Sequence, residues 1–250
     1  MNYCISGRHG FIGTAFTEYL INKGHNAWDI GRGLSIEELV QYFKETNPDY
    51  IIHTAAYGNQ YDSQKDFIEM VNTNIIGTYN LLEAAKTTNC KKFYNFTSSS
   101  VFLKKQTYYS ITKNCGEQIS KIYDNVVNIR PYSAYGPEEP KHRFIPTIIN
   151  CLNSGKEMTL DESATHSWIF IDDLVKAVFS GETELGGGVK TSNIEIVRIL
   201  ENISGKKLNY IPGKLRSYDT DDWTPPEGVC YTSLHDGLKQ TYESITRENN

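Results

Sequence analysis

No apolar stretch in the 250-residue sequence approaches the ~20 residues that a membrane-spanning helix requires, so no such helix is expected. Basic runs are also missing. Lys and Arg number 25 against 30 Asp and Glu, for a net charge of −5. Nucleic acid and anionic membrane surfaces are thereby left without their usual electrostatic handle. Any anionic ligand must be held by local donors. The five cysteines (Cys4, Cys90, Cys115, Cys151 and Cys230) are scattered and show no CxxC spacing. Neither a metal site nor a disulfide framework is expected, and Cys4, in an apolar run, is expected to pack as a small hydrophobe. The opening residues lack both the charged segment and the apolar segment of a secretory leader, so a reduced cytoplasm is the expected compartment. Internal repeats and low-complexity tracts are absent as well.

What is present is an ordinary globular composition, 39% hydrophobic and 22% charged. The length suits one large domain or one domain with a small annex. In the first half, short apolar runs alternate with helical patterns. Strands are predicted over 2–6, 26–30, 50–53, 92–97 and 126–129, and helices over 11–21, 36–45, 66–88 and 110–123. In the long helix Ile68, Val71, Ile75, Leu82 and Ala85 mark the expected buried face. Such alternation implies a parallel sheet with helices on both faces. Beyond Arg130 the rhythm changes. Pro131, Pro137 and Pro140 mark loops, and a helix is expected over 144–154. A short strand covers 168–171 and leads into a helix from Asp172. Ser192 and Glu195 fit a capping box, 212–228 reads as a loop, and a last helix covers 233–245.

Several local patterns carry chemistry. Gly7, Gly10 and Gly13 fall in a GxxGxxG loop after a strand and before a helix, the setting that cradles a pyrophosphate on helix N–H groups. Where the second strand ends, an acidic residue would bind the ribose hydroxyl of NAD and an arginine the 2′-phosphate of NADP. The counted position falls at Gly31–Arg32, with Asp29 two residues early. Arg32, helped by Arg8, favours NADP(H); NAD(H) applies if Asp29 reaches the ribose. Ala55 and Ala56 follow the third strand and leave room for a cofactor, while Asn74 sits oddly inside a helix. Ser98 closes the strand before Tyr109 and Lys113, which share a helical face four residues apart. A cation beside a phenol favours phenolate and suits it to move a proton at neutral pH.

With these segments in view, the chain resembles the extended short-chain dehydrogenases/reductases of the NAD-dependent epimerase/dehydratase family, which act on nucleotide sugars. The similar segments are the glycine loop, 48–56, 74–82, the Ser98 segment, Tyr109 with Lys113, 130–137 and 169–173. The resemblance implies a Rossmann-type doubly wound α/β fold with a smaller C-terminal substrate-binding α/β part. The dinucleotide would occupy residues 1–130 with returning segments near 165–185, and a nucleotide-diphosphate sugar would occupy 131–250. By resemblance Ser98 holds the sugar oxygen, Tyr109 is the acid/base and Lys113 binds the nicotinamide ribose. Gly7, Arg8, Gly10, Phe11, Ile12, Gly13, Arg32, Ala55, Ala56, Asn74, Tyr109, Lys113 and Tyr132 would contact cofactor. Tyr57, Ser99, Ser133, Arg143 and Arg216 would contact substrate, with no metal. The family's dimers often pair the helices here at 66–88 and 110–123, so a homodimer is implied.

Departures from the family pattern matter too. Dehydratases place an Asp-Glu pair where this chain has Ser99 and Ser100, which disfavours elimination of water. The stretch from Ser98 to Tyr109 is short, Ser133 replaces a frequent Asn, and His166 or Ser167 replaces a frequent Arg. Lys141, His142, Arg143 and Arg216 are candidate replacements for the diphosphate clamp. Two chemistries follow: an NADP(H)-dependent reductase of a 4-keto-6-deoxy nucleotide sugar, or an NAD-dependent 4-epimerase. A non-catalytic sensor or scaffold would keep the glycine loop while losing Ser98, Tyr109 or Lys113, and all three are retained.

Overall fold

The computed structural model describes residues 1–58, 67–214, 227 and 231–248. The chain divides into two compact units, Met1–Pro131 and Tyr132–Asn250. In the first unit, β1 (Asn2–Ser6), α1 (Phe11–Asn22), β2 (Asn26–Ile30), α2 (Ile36–Thr46) and β3 (Tyr50–His53) follow one another. Next come α3 (Phe67–Met70), a π-helical segment (Val71–Gly77), α4 (Thr78–Ala85) and β4 (Lys92–Phe96). A 3₁₀ turn (Ser99–Phe102), α5 (Tyr108–Ser120) and β5 (Val126–Pro131) complete the unit.

Local signals explain these boundaries. Ser35 and Glu38 cap α2 reciprocally, and Asn47 ends it in the left-handed conformation (φ 42°) just before Pro48. Within the unit the strands lie in the order β2-β1-β3-β4-β5, every pair parallel. The chain winds outward from β1 to β2, then crosses to β3 and continues the other way. The reversal opens a crevice at the carboxyl ends of β1 and β3, where ligands of such sheets bind. Cys4, Ile30, Leu39, Phe43, Ile51, Leu82 and Phe93 form a core on one side of this sheet. Cys4 packs there fully buried and also donates a weak bond from its thiol to Thr46 (3.4 Å).

The second unit holds β6 (Ser133–Tyr135), α6 (Phe144–Ser154), β7 (Met158–Leu160), β8 (Thr165–His166), β9 (Trp168–Phe170) and α7 (Ile171–Ser180). β10 (Glu184–Leu185), β11 (Thr191–Ser192), α8 (Asn193–Ser204), β12 (Tyr210–Pro212) and α9 (Leu234–Glu248) follow. Its strands form small pairs: β6 with β9 and β7 with β12 parallel, β8 with β11 antiparallel. Ile145, Ile148, Ile149, Trp168, Ile196, Leu200 and Leu238 pack into its core. The predicted capping box is present, with Glu195 accepting from the backbone N–H of Ser192 at 2.7 Å.

One expectation is corrected. The single helix read over 66–88 is α3, a π-helical segment and α4 in succession. Its expected buried face holds at Leu82 and Ala85, but Ile68 is 65% exposed, Val71 and Ile75 are only half-buried, and Met70, Asn74 and Thr78 are buried instead. The π segment closes i→i+5 bonds and holds more residues per turn than 3.6, so residues before it fall out of the register that an unbroken α-helix would share with Leu82 and Ala85.

Candidate active site

Everything in the first unit that carries chemistry collects at the carboxyl ends of its strands. Gly7 leaves β1 with φ 73°, and a Cβ there would lie 2.7 Å from the backbone nitrogen of Ala55. Only glycine lets the loop pass this close to the segment after β3. The loop enters α1 at Gly10, and no side chain caps that N-terminus. The first-turn N–H groups are thus arranged as an anion cradle, which suits the pyrophosphate of a dinucleotide. Phe11 and Ile12 lie half-buried in the same turn, with Gly13 buried behind them.

β1 and β2 pair with Ser6 opposite Ile30, so the Gly7–Arg8 and Gly31–Arg32 segments leave adjacent strands at the same level. Arg8 is half-buried and Arg32 exposed. Asp29 lies 3.4 Å from His9 of the glycine loop, and its backbone carbonyl accepts from Tyr42. Ala55 is half-buried and Ala56 exposed beside the crevice.

α5 starts where Thr107 and Ser110 cap each other, which places Tyr109 in its first turn and Lys113 one turn later. Lys113 is buried and its ammonium donates to the carbonyl of Phe96 at the end of β4 (2.6 Å). Burial pushes the Lys113 pKa down to about 8, with the Glu117 carboxylate pulling the other way. Tyr109 is half-buried. Ser98 stands in extended conformation before the 3₁₀ turn, its hydroxyl accepting from the N–H of Ser100 (3.1 Å). That bond leaves the hydroxyl proton available to a ligand. Ser99 begins the turn, half-buried.

Asn74 accounts for the π-helical segment around it. Its side-chain oxygen accepts from the Tyr57 N–H (2.8 Å), and its amide donates to the Tyr57 carbonyl (2.9 Å) and the Thr112 hydroxyl (3.0 Å). Tyr57 is held through its backbone with its side chain exposed. Thr112 in turn donates to the carbonyl of Tyr109 (3.0 Å). The Thr78 hydroxyl donates to the Asn74 carbonyl (2.8 Å), so it must accept from Nε2 of His53 (2.9 Å). Nδ1 of His53 is then the acceptor for the Ser6 hydroxyl (2.5 Å). Burial, reinforced by the Lys113 charge, pushes the His53 pKa down to about 3 and keeps the ring neutral. A buried polar chain thus joins the end of β1, just before the glycine loop, to the catalytic helix candidate.

Sequence reasoning did not assign His53, Thr112, Glu117 or Arg130 a task. The available signals were a histidine closing an otherwise apolar strand and a glutamate one turn beyond Lys113.

The remaining candidates belong to the second unit. Tyr132 donates its N–H to the Leu185 carbonyl (2.9 Å), and Ser133 to that of Ser167 (3.0 Å). Arg143 is the N-cap of α6, with Nε 3.4 Å from Glu139. Glu139 is buried, and that burial pushes its carboxyl up to about 7 against the pull of Arg143. Arg216 and most of the loop 212–228 lie outside the described residues, as do positions 59–66. Among the described residues no group of three or more His, Cys, Asp or Glu side chains is placed to hold a metal, and no helix is long and apolar enough to cross a membrane.

A parallel sheet with a glycine loop at its switch point and a Tyr–Lys helix two strands away defines the class, a Rossmann-like α/β enzyme. The profile of the NAD dependent epimerase/dehydratase family matches residues 3–181, and the chain belongs to that family, among the extended short-chain dehydrogenases/reductases. It is 26% identical over 266 residues to dTDP-D-glucose 4,6-dehydratase of Dictyostelium discoideum. That match takes in 80% of this chain but only 61% of the relative. CDP-abequose synthase of Salmonella typhimurium is 31% identical over 206 residues, covering 69% of this chain and 67% of the synthase. Among solved structures, UDP-glucuronic acid 4-epimerase of Bacillus cereus, in complex with UDP-glucuronic acid and NAD, superimposes with a TM-score of 0.83. It is 23% identical and covers 99% of this chain and 100% of that one, a likeness of fold.

Proposed function

We propose that the chain is an NADP(H)-dependent reductase of a 4-keto-6-deoxy nucleotide sugar. The observation that supports this reading is the register of β1 and β2, which pairs Ser6 with Ile30, so that the segments carrying Arg8 and Arg32 leave adjacent strands at the same level. Two guanidinium groups there suit a 2′-phosphate, which Arg binds by paired hydrogen bonds. Net reduction draws on NADPH, whereas an epimerase recycles its cofactor. The bound dinucleotide supplies the hydride. Tyr109 supplies the proton to the developing C4 alkoxide, Ser98 holds that oxygen, and Lys113 stabilises the phenolate left behind. Ser99 and Ser100 offer no carboxyl group for elimination, which sets the chain apart from a dehydratase.

In this reading Gly7, Gly10, Phe11, Ile12, Gly13, Ala55, Ala56, Asn74 and Tyr132 line the cofactor. Tyr57, Ser99, Ser133, Arg143 and Arg216 attend the nucleotide sugar, which the second unit receives. A homodimer is part of the proposal, supported by exposed Ile68, Ile76, Tyr79, Ile111 and Ile122 on or near the two long helical stretches. Free thiols at Cys4, Cys90, Cys115 and Cys151 accord with a reducing cytoplasm.

One residue favours the competing reading, an NAD-using 4-epimerase: Asp29, near the end of β2, is the acidic residue a ribose would meet. Incubation with 4-keto-6-deoxy nucleotide sugars decides between them. The reductase consumes NADPH in a one-to-one ratio with keto sugar. Interconversion of a saturated nucleotide sugar without net cofactor oxidation would establish the epimerase. Binding of NADPH with neither activity would mark a sensor.

A further inference from the structure

Glu117 is a carboxylate buried to 2% exposure, one helical turn beyond Lys113. Arg130, at the end of β5, grips it with both arms of its guanidinium: Nε donates to Oε2 at 2.8 Å, and Nη2 donates to Oε1. Lys121 lies 3.2 Å from the same carboxylate. The Arg130 guanidinium carbon sits 5.3 Å from the centre of the Phe102 ring, at the far end of the turn that follows Ser98. One arginine therefore touches the helix bearing Tyr109 and Lys113 and the turn that follows Ser98. A buried ion pair of this kind is weak evidence for stability, because desolvation offsets most of its attraction. Its geometry calls for another explanation.

We propose that Glu117 and Arg130 are positioning residues for the Tyr109–Lys113 pair: the arginine fork fixes the glutamate carboxylate, and the balance of the two charges sets how firmly Lys113 keeps its positive charge. The inference rests on the reading of Lys113 as the partner of Tyr109. Burial drives the Lys113 ammonium toward neutrality, and Glu117 is the group that opposes it. Glu117 itself would be raised by burial, yet Arg130, Lys121 and Thr97 together hold it below the usual carboxylate range. Among the described residues, neutral His53 from β3 also interacts with the Lys113 charge, and Tyr109 stands one turn earlier on its own helix. Arg130 from β5 and Lys121 are cations that offset the Glu117 charge.

The test follows the lysine side chains of the full chain, labelled with carbon-13 at Cε, by NMR across pH; Lys113→Arg assigns the signal. This readout needs no substrate, so an absence of reductase activity leaves it intact. Glu117→Gln is expected to move the Lys113 titration down by about one pH unit, tenfold in its dissociation constant. Arg130→Gln and the exposed substitution Lys121→Gln are expected to move it up, and Arg130→Lys to leave it near the wild-type position. A scaffold role predicts no such opposition of sign. Shifts in the same direction for Glu117→Gln and Lys121→Gln, or no shift in either, overturn the proposal whether or not Arg130→Gln folds.

Discussion

The phenol of Tyr109 is the group on which the proposed chemistry turns, and its test is a change of one oxygen atom. Tyr109→Phe is expected to cut turnover by roughly 10²–10⁴, the usual worth of a positioned acid or base. The NADPH dissociation constant, read by fluorescence, should stay within about twofold. Undiminished turnover would remove the tyrosine from the mechanism. Tyr109, Lys113 and the glycine loop were legible in the sequence because their spacing is local: four residues on one helix face, three glycines in one turn. His53 was not. Its partners lie 47 and 25 residues away in sequence, and burial at the end of a strand leaves no periodic mark. Arg130 is visible in the sequence as part of a motif, while its grip on Glu117 depends on β5 and α5 lying side by side.

At the scale of elements, the strands and the capped helices matched their sequence expectations to within a few residues, since caps, prolines and alternating runs act locally. The departure lies between Val71 and Gly77, where tertiary bonds from Asn74 override helical periodicity. That segment also needs room from its neighbour. A Cβ on Gly116 of α5 would stand 2.7 Å from the carbonyl oxygen of Asn74. At an open helical position Gly→Ala gains roughly 1 kcal/mol. Here Gly116→Ala is expected to lose about 1–3 kcal/mol by overpacking, measured by urea unfolding. A gain in stability would show that the two helices do not meet as closely as described.

Across the whole molecule, two buried titratable groups give stability opposite slopes with pH. The folded pKa of His53 lies near about 3, below its unfolded value, so its contribution is present at neutral pH and is lost as pH falls from ~6.5 toward 3. The folded pKa of Glu139 is raised to about 7, so its contribution is complete below ~4.5 and is lost as pH rises through 7. Urea midpoints measured from pH 4.5 to 8 should therefore fall at both ends. Glu139→Gln is expected to lift the alkaline end by on the order of 2 kcal/mol and to leave the acid end unchanged. An alkaline limb that persists in this variant would exclude Glu139 as its source.

The chain of bonds from Ser6 through His53, Thr78, Asn74 and Thr112 to Tyr109 also has a kinetic side. Its links close loops of 47, 25 and 38 residues. Contacts this distant form late, because loop-closure entropy must be overcome before they reward the chain. During synthesis or refolding, the glycine loop and the Tyr109 helix can each take local shape early. Their alignment waits until β1, β3, α4 and α5 have all docked, so competence to turn over substrate should lag behind the appearance of helical structure.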